Sequence, residues 1–308
     1  MAGTAAVTRI WSPGDAPRLD GKTAIVTGAT GGLGYQAALA LVRQGATTII
    51  AARNPAKGAQ AVAQIQREVP GAHVQFEPLD LASLASVASF AAAQPATIDI
   101  LVNNGAVMGL PHRETTEDGF ERQIGVNYLA HFALTLRLRA ALAGGRVVTV
   151  ASLAHRRAAL GLDDFQSQRH YDPRGVYGRS KLATLIFALE LQRRSVGNGW
   201  NLTSMAAHPG WARTRIVPNG MGAGGPSLKA KLAEIVFNAV AQPAHDGALP
   251  ILFAAMASDA QGGAYYGPTG WGETRGAPGP AKIFPQALNT QAAARLWALS
   301  ETLTGVAS

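Results

Sequence analysis

The 308-residue chain has no cysteine, which excludes disulfide bridges, thiolate nucleophiles and cysteine-held metals. It has no Asp or Glu between Asp20 and Glu68. It also lacks an apolar run of membrane length free of charge or glycine, and Met1 to Asp20 offers no stretch suited to a signal peptide. A cytoplasmic protein without a membrane span is therefore expected. Charged residues make up only 15% and hydrophobic ones 47%, a balance that buries a core and excludes a disordered chain. The seven histidines are not paired at ligand spacing with another His, Asp or Glu, so no metal is expected. The net charge of +8 is scattered, with only short pairs such as Arg156-Arg157 and Arg193-Arg194 and no interleaved aromatics. That pattern reads as a solvated surface with one local anion site, not a nucleic-acid-binding face.

What is present is a rhythm. Thr23–Thr27, Thr47–Ala51, His73–Phe76, Ile98–Val102, Arg146–Val150 and Leu202–Ala206 are short β-branched or continuously apolar runs, as strands buried on both faces require. Helical patterns separate them at Leu33–Gln44, Pro55–Val69, Ser83–Ala93, Glu117–Leu142 and Val176–Ser195. Strand–helix alternation over this length implies an α/β fold, a doubly wound parallel sheet of Rossmann type. No Pro/Gly/Ser linker divides it. An irregular arm at 1–18 precedes one domain at 19–308, which closes with a strand near Gly263–Tyr266, a loop from Gly270 to Pro280 and a helix near Thr290–Leu303. The glycine-rich run Val217–Ser227, within 211–230, reads as a lid over a substrate.

Thr27-Gly28-Ala29-Thr30-Gly31-Gly32-Leu33-Gly34 follows the first strand and opens the first helix. In that context glycines have a mechanical purpose. Gly28 permits the sharp turn, Gly32 lets backbone approach a pyrophosphate, and Gly34 allows close helix packing. Thr30, Gly31 and Leu33 complete the expected cofactor loop. After the second strand, Arg53-Asn54 stands where an NAD-preferring fold places an acid for the ribose 2′-hydroxyl. An arginine there, with no acid nearby, points to NADP rather than NAD. Asp80-Leu81 after the third strand is placed to accept from an adenine amine.

Tyr177 and Lys181 lie four apart in a helical pattern, so phenol and ammonium share one face. A free phenol titrates near ~10, and a neighbouring ammonium favours its ionised form. Ser152 ends the fifth strand, where its hydroxyl can bind a substrate oxygen. Asn127 lies in the preceding helical stretch, Asn103-Asn104-Gly105-Ala106 follows the fourth strand, and His208-Pro209-Gly210 follows the sixth. These positions gather at the carboxyl ends of the strands, where open α/β sheets bind ligands.

These residues resemble the short-chain dehydrogenase/reductase family from Leu19 to about Leu303. Thr27–Gly34 matches its glycine loop, and Asn127, Ser152, Tyr177 and Lys181 match its tetrad. Thr116–Glu121, Val126–Phe132 and Leu162–Phe165 carry a closer likeness to its retinol-dehydrogenase-like branch, which also resembles protochlorophyllide reductases. The family usually has Asn-Asn-Ala-Gly after the fourth strand. Here Gly105 and Ala106 exchange those last two residues. The resemblance implies seven parallel strands ordered 3-2-1-4-5-6-7 and hydride transfer between NADP(H) and a carbonyl or alcohol. It implies that Tyr177 moves the proton and Ser152 orients the oxygen. Lys181 lowers the tyrosine pKa and holds the nicotinamide ribose, while Asn127 holds a relay water. Asn104, Gly105, Ala106, Pro209, Gly210, Trp211 and Thr214 are the further cofactor contacts expected.

Met108 and Trp211, with Ser152 and Tyr177, are the expected substrate contacts. Their character favours a bulky hydrophobic ketone, aldehyde or alcohol; a small keto acid held by Arg213 or Arg215 is the rival. A catalytically idle NADP-binding sensor is the alternative from another class, and a complete tetrad argues against it. Monomer, homodimer and homotetramer all remain open.

Overall fold

The computed structural model describes residues 11–213 and 241–308. Among the described residues eight strands form one sheet in the order 3-2-1-4-5-6-7-8. They are β1 Thr23–Thr27, β2 Thr47–Ala52, β3 Val74–Pro78, β4 Ile100–Asn103, β5 Arg146–Val150, β6 Thr203–Ala207, β7 Tyr265–Pro268 and β8 Pro278–Pro280. The first seven run parallel, and β8 returns antiparallel to β7. The expected strand order holds. The eighth strand corrects the count and replaces part of the loop expected at 270–280. Its Pro-Gly-Pro sequence hides it, because prolines lack the ladder N–H and are tolerated only at an edge such as this.

Among the described residues the α-helices are α1 Gly32–Arg43, α2 Pro55–Glu68, α3 Leu84–Ala92, α4 Arg122–Ile124, α5 Ala130–Arg137, α6 Pro173–Asn198, α7 Ala244–Met256 and α8 Thr290–Thr304. Their ends carry the expected chemistry. Asn54 caps α2 by accepting from the Lys57 N–H at 3.0 Å, with Pro55 in the first turn. Asp172 caps α6 from the Gly175 N–H at 2.8 Å, and Gly199, at φ +66°, stops it.

Two apolar layers clamp the sheet. On one side Ile25, Leu101 and Val147 pack with Phe132, Phe187 and Trp297 from α5, α6 and α8. On the other, Val26, Ile50 and Val148 pack with Leu41, Ile65 and Ile251 from α1, α2 and α7. α7 carries a buried Pro250 in its interior, which broke the helical pattern in the sequence. Trp11 of the N-terminal arm meets Phe253 edge-on at 5.2 Å.

The long helix expected over 117–142 is three pieces. The Glu121 carboxylate accepts from Gln123 and Ile124 N–H groups at 3.0 and 2.7 Å, so the helix starts at Arg122. A π-helical turn, Gly125–Leu129, then separates α4 from α5. Among the described residues no helix is long and apolar enough to cross a membrane.

Candidate active site

A cavity of about 850 Å³ opens where β1, β4, β5 and β6 end. Gly28, Thr30, Gly31, Gly32, Leu33 and Gly34 line it after β1, and Asn104, Gly105, Ala106 and Met108 after β4. Ser152 follows β5, Pro209, Gly210 and Trp211 follow β6, and Tyr177 and Lys181 enter from α6. Arg53, Asn54, Asp80 and Leu81 do not line this cavity. Asn54 is the cap of α2, and the Asp80 carboxylate accepts from the Ala82 N–H at 2.9 Å. Lys57, one helical turn beyond Arg53, does line it, and so does Arg174, one turn before Tyr177. Neither was expected from sequence; the signals that point to them are a cation four residues after Arg53 and another three residues before Tyr177. Thr214, Arg215 and the expected lid at Val217–Ser227 lie outside the described residues. Arg213 uses its Nε on the Ala241 carbonyl at 2.9 Å and is not part of the cavity wall.

The glycine loop is a cradle that side chains would fill. Gly28 has φ +68°, and a Cβ there would sit 2.7 Å from Gly105 Cα. At Gly34 a Cβ would meet Asn104 Nδ2 at 2.5 Å and Ala29 Cα at 2.9 Å. Gly31, by contrast, has nothing within 4 Å of its Cβ position. α1 starts without a capping side chain and without an acid in its first turn. Its leading N–H groups are thus left for an anionic ligand, and these residues fit a dinucleotide pyrophosphate.

A buried hydrogen-bond chain ties the cradle to α6. The Thr27 hydroxyl accepts from the Asn104 and Gly105 N–H groups, each at 2.9 Å, and meets His131 Nε2 at 2.9 Å. His131 Nδ1 donates to the Asn127 carbonyl at 3.1 Å. Burial pulls this imidazole down to about 4, so it stays neutral and its Nε2 accepts from Thr27. The Asn127 side chain closes the chain. Its Oδ1 accepts from the Val107 N–H at 2.8 Å, and its Nδ2 donates to the Val107 carbonyl at 2.9 Å and to Ser180 Oγ at 3.0 Å. Asn127 therefore does not line the cavity; its side chain clamps the loop after β4 to the helix carrying Tyr177 and Lys181. Asn127 sits within the buried π turn Gly125–Leu129.

Lys181 is buried, and its Nζ donates to the Val150 carbonyl at 2.8 Å. Burial pulls the ammonium down to about 8. The Nζ lies 5.9 Å from the centre of the Tyr177 ring. Burial pushes the Tyr177 phenol above its ordinary value, opposed by its interaction with the Ser152 side chain. Against the expectation that the ammonium lowers it, desolvation dominates and the phenol is raised. Arg179, inside the Tyr177–Lys181 span, pins the segment between Ser152 and Tyr177 by donating to the Asp164 carbonyl at 2.7 Å and to Ser167 Oγ at 2.9 Å.

A parallel sheet of this order, with a glycine cradle at its first crossover facing a Ser–Tyr–Lys cluster, defines a dinucleotide-dependent oxidoreductase of the carbonyl/alcohol class. The chain belongs to the short chain dehydrogenase family, whose sequence profile matches residues 22–220. It is 38% identical to retinol dehydrogenase 13 from Homo sapiens over 319 aligned residues, covering 99% of this chain and 92% of that protein. It is 40% identical to polyprenol dehydrogenase from Mus musculus over 258 residues, covering 80% and 75%. These similarities put it in the retinol-dehydrogenase-like branch. Among solved structures, an uncharacterised protein from Mycobacterium paratuberculosis superposes with a TM-score of 0.81 at 36% identity, covering 97% of this chain and 98% of that one.

Proposed function

We propose that the protein is an NADP(H)-dependent oxidoreductase that interconverts a ketone or aldehyde and an alcohol on a bulky, mainly hydrophobic substrate. One observation carries this reading: Ser152, Tyr177, Lys181 and the glycine cradle share one cavity whose other walls include Met108, Leu153, Ala154, Pro173, Trp211 and Ala212. When bound, the cofactor supplies or accepts the hydride. Ser152 holds the substrate oxygen, and Tyr177 delivers a proton to it during reduction. A phenol raised by burial stays protonated, the state that this step needs. Lys181, anchored on Val150, presents its remaining N–H groups to the nicotinamide ribose. Asn127 fixes the register between the loop after β4 and α6. Two relatives are named for retinol and polyprenol, both long apolar alcohols, which agrees with the walls.

The NADP preference is supported by Arg53 at the end of β2, by Lys57 on the cavity wall and by the absence of acids from 21 to 67. A formed cation–phosphate contact contributes on the order of 1.5–3 kcal/mol, about ten- to a hundredfold in efficiency. Steady-state kinetics with NADPH and NADH test it. NADPH should be preferred, and Arg53→Ala and Lys57→Ala should each narrow the gap. Equal efficiency with both cofactors, unaltered by either variant, would contradict it.

A further inference from the structure

Behind the Pro209-Gly210-Trp211 turn lies a carboxylate shared by three chain segments. His208 is fully buried, and its Nδ1 accepts from the Gly210 N–H at 3.1 Å. That leaves Nε2–H to donate to Glu273 Oε2 at 3.1 Å. The same oxygen takes Arg156 Nη2 at 2.7 Å, while Arg156 Nη1 donates to the Gly272 carbonyl at 3.1 Å. Glu273 Oε1 accepts from the Lys282 N–H at 3.0 Å. Arg156 belongs to the short helical turn Leu153–Arg157 that begins directly after Ser152. The loop carrying Glu273 also grips the turn by its backbone: Trp211 N–H donates to the Thr274 carbonyl at 2.7 Å.

Two further observations mark this cluster as held in place. Glu273 has φ +59°, a left-handed state that a non-glycine residue keeps only where its surroundings enforce it. A Cβ at Gly267 would lie 2.0 Å from His208 Nε2, so the imidazole fits only against a glycine. Burial alone would raise the Glu273 carboxyl, but the hydrogen bonds from His208 and Lys282, with the Arg156 charge, pull it down to about 2. His208 is lowered by burial and stays neutral. The carboxylate is thus ionised at any pH suited to turnover.

We propose that Glu273 is a positioning residue for the nicotinamide half of the cofactor, setting the Pro209–Trp211 turn through His208 and tying it to the Ser152 turn through Arg156. This inference rests on the dinucleotide reading above. In Glu273→Gln the amide keeps the shape but loses the charge, and whichever way it turns its NH2 group meets a donor, either Arg156 with His208 or the Lys282 N–H. The test titrates tryptophan fluorescence with NADPH and, separately, with 2′,5′-ADP, which lacks the nicotinamide half. In Glu273→Gln the NADPH Kd should rise about tenfold or more, while the 2′,5′-ADP Kd stays within about twofold. A parallel loss of both, as a merely structural role gives, overturns the proposal, and so does no change in either. If Glu273→Gln does not fold, Arg156→Gln removes one arm of the cluster and should show the same selective loss. A wild type that binds neither ligand removes the dinucleotide reading itself. A wild type that favours NADPH, with a variant that keeps the preference, removes only the role of Glu273.

Discussion

Lys181 shows the cost of building this site. Its ammonium is buried with one carbonyl partner and is pulled from 10.5 to about 8. A base whose folded-state pKa lies below its unfolded value destabilises the fold where both states would be charged. The penalty, roughly 3 kcal/mol at ~1.4 kcal/mol per pK unit, is fully present below about pH 8. It fades as pH rises toward 10.5, where the unfolded chain also loses the proton. Lys181→Met in the cofactor-free protein should therefore raise Tm by several degrees at pH 7, and the gain should shrink by pH 9.5–10. A lower Tm at pH 7 would show that the Val150 hydrogen bond matters more than desolvation. The residue scale is also where the sequence was least legible. Tyr177 and Lys181 could be paired from spacing, and Ser152 from its place at the end of the fifth strand, with the family resemblance joining them. Glu273 could not, because its partners Arg156 and His208 lie 117 and 65 residues away. Lys57 was hidden by its ordinary place in a helix. The direction of the Tyr177 shift depends on burial, which spacing does not report.

Among the elements, the β1–α1 loop and the loop after β4 are built against each other. Gly28 and Gly105 touch, yet the structure gives them different tolerances. A methyl at Gly28 would strike Gly105 backbone at 2.7 Å and demand φ +68° of an alanine. A methyl at Gly105 would meet Leu81 Cδ1 at 2.6 Å, the movable end of a side chain. The exchanged order Gly105-Ala106 thus matches Leu81, which occupies the space a methyl would need. Gly28→Ala should weaken NADPH binding by at least ~10-fold, whereas Gly105→Ala should cost about 1 kcal/mol of stability or less and leave the Kd within ~3-fold. Comparable losses in both variants, by calorimetric titration, would contradict this. The elements themselves were largely legible. Strands buried on both faces announce themselves as apolar runs, and β1 and β5 begin and end where the runs do. The misses have physical causes: Pro250 inside α7, a Pro-Gly-Pro edge strand, and a π turn that leaves helical periodicity nearly intact.

At the scale of the whole molecule, the sheet brings residues from four strand ends and one long helix to a single cavity. The alternation of strands and helices points to the fold class and to a site at the strand ends; the strand order came from the family resemblance, and the eighth strand from neither. The mainly apolar walls favour large ketones, and hydrophobic pockets discriminate weakly, by about 1–3 kcal/mol per methylene. An aryl ketone series should therefore give kcat/KM values that rise with apolar bulk and exceed those of small keto acids. Of the cations on the wall, Lys57 and Lys181 are assigned to the cofactor, which leaves Arg174 as the one that would reverse this order. A preference for the acids, abolished by Arg174→Ala, would overturn the hydrophobic reading and leave the oxidoreductase assignment standing. That assignment is tested most directly by following the hydride itself. NADPH carrying deuterium at the transferable nicotinamide position is incubated with the preferred ketone and the alcohol is examined by mass spectrometry. The wild type should place one deuterium on the carbinol carbon. Tyr177→Phe should still bind NADPH but transfer the label at least ~100-fold more slowly. Alcohol formed without the label, or formed as fast by Tyr177→Phe, would contradict the account.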